Sequence, residues 1–471
     1  MKNLKNKIFV LMLLVLPFQL SLSQDQEKIK GKWLGTLELP SLELRIVFNV
    51  SENEDGSLKT TLDSPDQNAY GIPVDSTIFD NPNIRFVVQS ANGFYDGKFE
   101  QDSIVGTWTQ GGSLPLNLKR TETVEVPKRP QEPKPPYLYN EEEVSYPNKK
   151  ASLTLAGTFT YPKEGDSFPA VILISGSGPQ NRNEELLGHK PFLVLADYLT
   201  KNGIAVLRFD DRGIGESTGD FLSATTKDFA SDVMAGIQYL KLRKEVNKDK
   251  IGLIGHSEGG LIAPLAAVES PDVNFIVLMA GPGMTGKEIL KLQTALILRA
   301  NDYGEEKIER DVNVMSKMYE ILVNEKDTSA AKEKLKEEFD KNYMELSEEE
   351  KKEIGDLDAF FNQQVKALLS PWFRFFLEYD PYPTLTKVRV PVLAINGEKD
   401  LQVPPRENLA LIEKALKESG NKNYKVVELP GLNHLFQQAK TGSPMEYSKI
   451  EDTMSPVVLE MITGWIKETI K

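Results

Sequence analysis

The chain has 471 residues, too many for one ordinary domain and suited to two. Apolar residues make up 40% and charged residues 27%, the balance of a soluble globular protein, which excludes a largely disordered chain or one built of membrane spans. There is no cysteine, which excludes disulfides, thiol catalysis and thiolate metal sites, and the net charge of −13 disfavours nucleic acid as a partner.

At the start, Lys2, Lys5 and Lys7 precede an apolar run from Ile8 to Phe18, and Ser21-Leu22-Ser23 stands before Gln24. A positive flank, a short apolar core and small residues at the −3 and −1 positions predict a cleavable secretory signal over residues 1–23. The run is too short to cross a bilayer comfortably. The expectation is export across the inner membrane, to the periplasm or beyond, with no stable membrane insertion after cleavage.

Residues 24–124 alternate apolar and polar side chains in short segments. Trp33 to Leu39, Leu42 to Val50, Ile84 to Val88 and Ile104 to Trp108 are examples, separated by turn signals at Asp55-Gly56, Asn81-Pro82, Asn92-Gly93, Asp96-Gly97 and Gly111-Gly112. Roughly eight strands at this spacing predict a small all-β domain, a lipocalin-like barrel or a sandwich. Residues 125–140 then carry Pro127, Pro130, Pro133, Pro135 and Pro136 and read as a semi-rigid linker.

From 141 to 471 strands and helices alternate. Ala170 to Ile174 is an unbroken apolar run, as in a strand buried on both faces. Phe192, Leu195, Ala196 and Leu199 fall at helical spacing and are closed by Gly203. A strand from Ile204 to Phe209, a helix carrying Phe229, Val233, Ile237 and Leu240, and a strand from Ile251 to Ile254 follow. This rhythm predicts an α/β fold with a doubly wound, mostly parallel sheet. It breaks over residues 284–380, which are helical in composition and read as a lid over the carboxyl ends of the strands. The Lys/Glu tracts there read as solvated helix faces.

Gly255-His256-Ser257-Glu258-Gly259 sits between a buried strand and a helix. A serine there must turn sharply, and glycines two residues to either side remove side chains that would clash. The hydroxyl is then lifted clear of the sheet, so Ser257 is the candidate nucleophile. A serine hydroxyl needs a base, and in this arrangement the order is serine, acid, histidine. His434 is the one histidine downstream of Ser257, after a strand from Tyr424 to Leu429. Asp400, in Asn396-Gly397-Glu398-Lys399-Asp400 after the preceding strand, is preferred to Glu398 as the acid because it lies deeper in the loop, beside Pro404. Its role is to hold the His434 tautomer and stabilise the imidazolium.

A developing oxyanion needs backbone donors. The N–H of Glu258 is one, and the other is expected from Gly176 or Ser177 in the loop after the Ala170 to Ile174 strand. Asp210 to Gly215 lacks the spacing of a phosphate cradle and reads as a structural ion-pair loop. His189 and His256 are assigned structural roles, and with three histidines in all a His-rich metal site is not expected.

Ser175 to Glu184, Gly188 to Phe192, Asp210 to Gly215 and Gly255 to Gly260 together resemble the EstD-type bacterial esterases of the α/β-hydrolase superfamily, over most of Glu142 to Lys471. Ser370-Pro371-Trp372-Phe373 resembles the end of that family's lid. The resemblance implies a hydrolase core behind a small N-terminal β domain, and hydrolysis of a small-molecule carboxylic ester, often with a short acyl chain, without a cofactor. A serine peptidase of aminopeptidase or acylaminoacyl type is the alternative on the same core. The N-terminal region is far too small for the β-propeller of an oligopeptidase, and nothing marks an acidic pair for a free amine. A non-catalytic binding module is disfavoured because every catalytic part is present in order.

Overall fold

Alternating side chains build the first sheet and unbroken apolar runs build the second. A computed structural model describes residues 27–471 apart from 40, 41, 68, 126 and 355, so the leader expected over 1–23 lies outside the described residues. The chain divides into two compact units, one reaching to residue 126 and taking in 347–360, the other comprising 127–346 and 361–471.

In the first unit the described residues form ten strands: β1 (Gly31–Leu39), β2 (Leu42–Glu52), β3 (Leu58–Ser64), β4 (Ala69–Pro73), β5 (Ser76–Asp80), β6 (Asn83–Val88), β7 (Gly93–Glu100), β8 (Ser103–Thr109), β9 (Ser113–Pro115) and β10 (Leu118–Thr121). They run in the order β4-β3-β2-β1-β10-β8-β7-β6-β5, with β9 beside β8. The sheet curls until β5 meets β3. There the Val74 N–H donates to the Thr60 carbonyl at 3.3 Å and the Thr77 hydroxyl to that of Thr60 at 2.8 Å. Trp33, Phe48, Phe86 and Tyr95 fill the interior, and Phe48 stacks on Phe86 with ring centroids 4.4 Å apart. The count exceeds the expected eight because β4 and β9, of five and three residues, are too short to show a period.

The second unit holds β11 (Tyr139–Asn148), β12 (Leu153–Pro162), β13 (Phe168–Ile174), β14 (Ala205–Phe209), β15 (Val246–His256), β16 (Phe275–Met279), β17 (Val392–Gly397) and β18 (Tyr424–Leu429). Their order is β11-β12-β14-β13-β15-β16-β17-β18. From β14 to β18 neighbours are parallel, while β11 and β12 add an antiparallel edge. Residues alternate between two cores. Ile172, Leu207, Leu253 and Ile276 pack with Val233, Ile237 and Ile412 on one face. Val171, Val206, Ile254 and Val277 pack with Leu195, Leu199 and Ile462 on the other. Each such side chain contributes about 1.5–3 kcal/mol on full burial. The strand order reverses at β13, which lies between β14 and β15. Ligands in open α/β sheets bind at such a switch point, outside the carboxyl ends of the strands.

Between β16 and β17 run helices Gly286–Ala300, Glu305–Asn324, Thr328–Glu345, Glu348–Ile354, Leu357–Leu368, Pro371–Glu378 and Tyr382–Leu385. The charged tracts are not the whole of it. Tyr319, Leu322, Leu335, Phe361 and Leu377 make a small core within the insertion.

Two corrections concern residues 125–140. Tyr139 and Asn140 already belong to β11, paired with Pro162 and Tyr161 of β12, so the sheet begins inside the expected linker. Part of the remainder is fastened rather than free. The Arg129 guanidinium donates to the carbonyls of Leu187, Gly188, Ser448 and Ile450 at 2.9–3.2 Å. Gln131 bonds the backbone of Thr453 and Met454. A proline-rich composition shows extension and not where an extended segment docks.

Candidate active site

β15 ends at His256 and the next helix begins at Gly259, leaving two residues for the turn. Ser257 takes a φ of +52°, in the left-handed region that side chains other than glycine rarely adopt, and its N–H is held by the Met279 carbonyl at 2.9 Å. The flanking glycines are dictated by space. A Cβ on Gly255 would stand 2.0 Å from the Gly259 oxygen, and one on Gly259 would stand 2.2 Å from the Ile174 oxygen.

His434 lies in the loop after β18. Asn433 braces that loop, its side-chain oxygen accepting from the N–H groups of Leu435 and Gln437. His434 Nδ1 is 2.8 Å from Asp400 Oδ2. The other carboxylate oxygen of Asp400 accepts from the N–H groups of Gln402 and Val403 at 2.8 and 2.9 Å. Nδ1 is therefore the donor to Asp400, and Nε2 is left as the basic nitrogen. Glu398 faces elsewhere, accepting from the Gly431 N–H at 2.8 Å. Ser257 and His434 line one cavity of about 200 Å³, walled also by Ser177, Leu186, Ile289, Trp372, Phe373 and Phe376.

The loop after β13 corrects one expectation. The Gly176 N–H donates to Glu184 Oε1 at 2.7 Å, so it is not available to an oxyanion. The N–H groups of Ser177 and Glu258 have no intramolecular acceptor among the described residues. Both residues line the cavity, and Glu258 stands at the N-terminus of a helix, whose dipole favours negative charge.

Three partners escaped the sequence reading. The side chain of Glu258 is buried and accepts from the Thr226 hydroxyl at 2.7 Å and from the Trp372 indole N–H. Burial pushes its carboxyl pKa up against those donors. Trp372 is delivered by a helix that Ser370 caps, its hydroxyl accepting from the Phe373 N–H, with Pro371 in the first turn. Glu184 is the third, buried between Gly176 and His256. The residues Ser175 to Glu184 and Ser370 to Phe373 stood out as motifs, but nothing local says whom they meet.

The Asp210 to Gly215 loop is held by ion pairs, half-buried Arg182 with buried Asp210, and Arg212 with Asp232, both buried. Between them Asp211 accepts from the Ser175 hydroxyl and the Gln180 N–H, both at 3.0 Å, and so braces the loop after β13. Burial pushes the Asp211 carboxyl up to about 8. His189 is sealed against the Thr453 hydroxyl and the Tyr447 carbonyl, and burial pulls its pKa down to about 4. Among the described residues no group of three His, Asp or Glu side chains is placed to hold a metal ion.

The parallel sheet, the sharp turn at Ser257 and the histidine loop at the strand ends define a class. The chain belongs to the alpha/beta hydrolase fold family, whose model matches residues 169–438. It is similar to esterase EstD of Thermotoga maritima, with 28% identity over 66% of this chain, and spans 65% of that relative's length. It is also similar to an uncharacterized 31.7 kDa protein of Escherichia coli, at 26% identity over 56% of this chain and 84% of that one. Among solved structures, an esterase of Pyrococcus furiosus is similar at 16% identity and a TM-score of 0.43, covering 71% of this chain and 92% of that one.

Proposed function

We propose that this protein hydrolyses small carboxylic esters through an acyl-enzyme on Ser257. The observation that carries the reading is a left-handed serine at a strand-to-helix turn, opening onto the same cavity as a histidine whose Nδ1 is held by Asp400. The Ser257 oxygen attacks the ester carbonyl while His434 Nε2 takes its proton. Negative charge then develops on the carbonyl oxygen, where the Glu258 and Ser177 N–H groups stabilise it. Collapse expels the alcohol, protonated by His434. Water, deprotonated in turn by His434, attacks the acyl group, and the carboxylic acid leaves with Ser257 restored. Asp400 stays ionised throughout and fixes the tautomer.

A cavity of about 200 Å³ under bulky aromatic side chains favours a short acyl chain. The similarity to an esterase supports ester over amide chemistry. In this reading residues 1–23 direct export, and residues 24–124 form a separate domain ahead of the catalytic one.

The test is a panel of nitrophenyl esters of increasing acyl length beside aminoacyl anilides. Short esters turn over fastest, a fluorophosphonate probe labels Ser257, and Ser257→Ala lowers kcat by about 10⁶-fold. Labelling that survives the substitution, or anilides that outpace esters, overturns the proposal.

A further inference from the structure

Glu184 and His256 have no part in the steps above, yet both are nearly sealed, at 4% and 5% exposure, against the residues that do. Glu184 is held in the left-handed region with a φ of +51°. Its Oε1 accepts the Gly176 N–H at 2.7 Å and lies 2.9 Å from His256 Nδ1. The other ring nitrogen of His256 is 3.0 Å from the backbone carbonyl of His434.

The bonding fixes the protons. A carbonyl oxygen can only accept, so Nε2 of His256 carries a hydrogen, and one more proton lies between Nδ1 and the carboxylate. Burial opposes charge on the imidazole, but Glu184 and the His434 carbonyl outweigh it and raise its pKa. The shared proton, drawn toward the imidazole, leaves the pair neutral as a unit, which is how ionisable groups persist out of water.

We infer that Glu184 and His256 are positioning residues: one buried ion pair that sets the oxyanion loop at its carboxylate end and the backbone of His434 at its imidazolium end. The inference rests on the reaction proposed above. By taking the Gly176 N–H, Glu184 fixes the turn that presents the Ser177 N–H. By donating to the His434 carbonyl, His256 holds the loop from which the base reaches the cavity. Both halves of the machinery are thereby registered to Ser257, which follows His256 directly in the chain. An error of about 1 Å in such a register costs on the order of 10²-fold in rate.

The experiment measures turnover of a short nitrophenyl ester by H256Q, E184Q, E184Q/H256Q, H434A and H434A/H256Q, with melting curves for each. H256Q and E184Q are expected to lose about 10- to 100-fold in kcat with KM nearly unchanged. The double variant is no worse than the poorer single. Because one end of the pair acts through His434, adding H256Q to H434A costs less than H256Q costs in the wild type, the remainder being the share that passes through the oxyanion loop.

The pH profile supplies a readout that a merely structural role would not move. The rings of His256 and His434 are 4.8 Å apart, and the other titratable groups facing them are Asp400 and Tyr447. H256Q leaves the Glu184 charge without its cation beside the base, so the acid limb of kcat/KM moves to higher pH. In E184Q/H256Q both charges are gone and the limb returns. If E184Q does not fold, Glu184→Asp keeps the charge, withdraws the carboxylate by one methylene and shows the same loss in kcat. Activity that survives H434A overturns the reaction itself. Activity that is lost in H434A but kept in H256Q, or an acid limb that never moves, overturns this inference alone.

Discussion

Trp372 donates its indole N–H to both carboxylate oxygens of Glu258, at 3.0 and 2.9 Å, tying the helix Pro371–Glu378 to the residue after Ser257. The bond joins a wall of the cavity to the peptide that carries a proposed oxyanion donor. Trp372→Phe keeps much of the packing and removes the donor, leaving a buried carboxyl short of a partner. The expected cost is about 1–3 kcal/mol of stability, read by chemical denaturation. Glu258→Gln, which loses no charge from water on folding, should make the same Trp372→Phe change cheaper. Equal costs in both backgrounds would assign the loss to packing.

The acid is tested by two isosteric changes on one loop. Asp400→Asn keeps shape but offers His434 the wrong hydrogen-bonding partner, so a loss on the order of 10⁴-fold in kcat is expected. Glu398→Gln touches only the bond to the Gly431 N–H and should stay within a few-fold of wild type. Ester turnover and melting are measured side by side. A crippled Glu398→Gln beside a near-normal Asp400→Asn, both folded, would move the acid to Glu398.

The turn at Ser257 predicts intolerance to a single methyl group. Gly255→Ala and Gly259→Ala each drive a Cβ to within 2.0 and 2.2 Å of backbone oxygen, where no side chain can yield. Destabilisation beyond about 4 kcal/mol is expected, at the extreme of point substitutions. Gly464→Ala, where nothing lies within 4 Å, is the control: it sits inside the helix Pro456–Thr469, where alanine is the better helix former, and should melt at or slightly above the wild type.

Asp211 predicts a slope in stability against pH. Its carboxyl is raised to about 8 in the folded protein, against about 4 in an unfolded chain. Between those values the folded state holds a proton that the unfolded chain releases, so this group's contribution to stability falls as pH rises from about 4 to about 8. Asp211→Asn cannot ionise and lacks that fall. The variant's Tm relative to wild type should therefore climb across the window, and a constant difference would show that Asp211 titrates normally.

What could be read along the chain was whatever is local. The Ser257 turn is written within five residues, and β13 and β15 in unbroken apolar runs, because sterics and burial act there between near neighbours. What escaped depends on partners far apart. Glu184 meets His256 across 72 positions and Trp372 meets Glu258 across 114, and neither carries a period or spacing that names its mate. The choice between Gly176 and Ser177 turned on Glu184 and so could not be made without it. β11 and β12 were passed over because an antiparallel edge, with one face partly wet, lacks the continuous apolar run of its parallel neighbours.

The clamp at Arg129 sets where the hydrolase unit can be cut out of the gene. A fragment opening at the first strand, at Tyr139, would leave four carbonyls of the 187–188 and 448–450 loops without their guanidinium, and the backbone of Thr453 and Met454 without Gln131. Those loops flank the ends of the strands, one of them directly after Glu184. An expression boundary at Pro127 or earlier keeps the clamp, so two fragments differing by a dozen or so apparently dispensable residues should differ sharply in yield and in melting temperature.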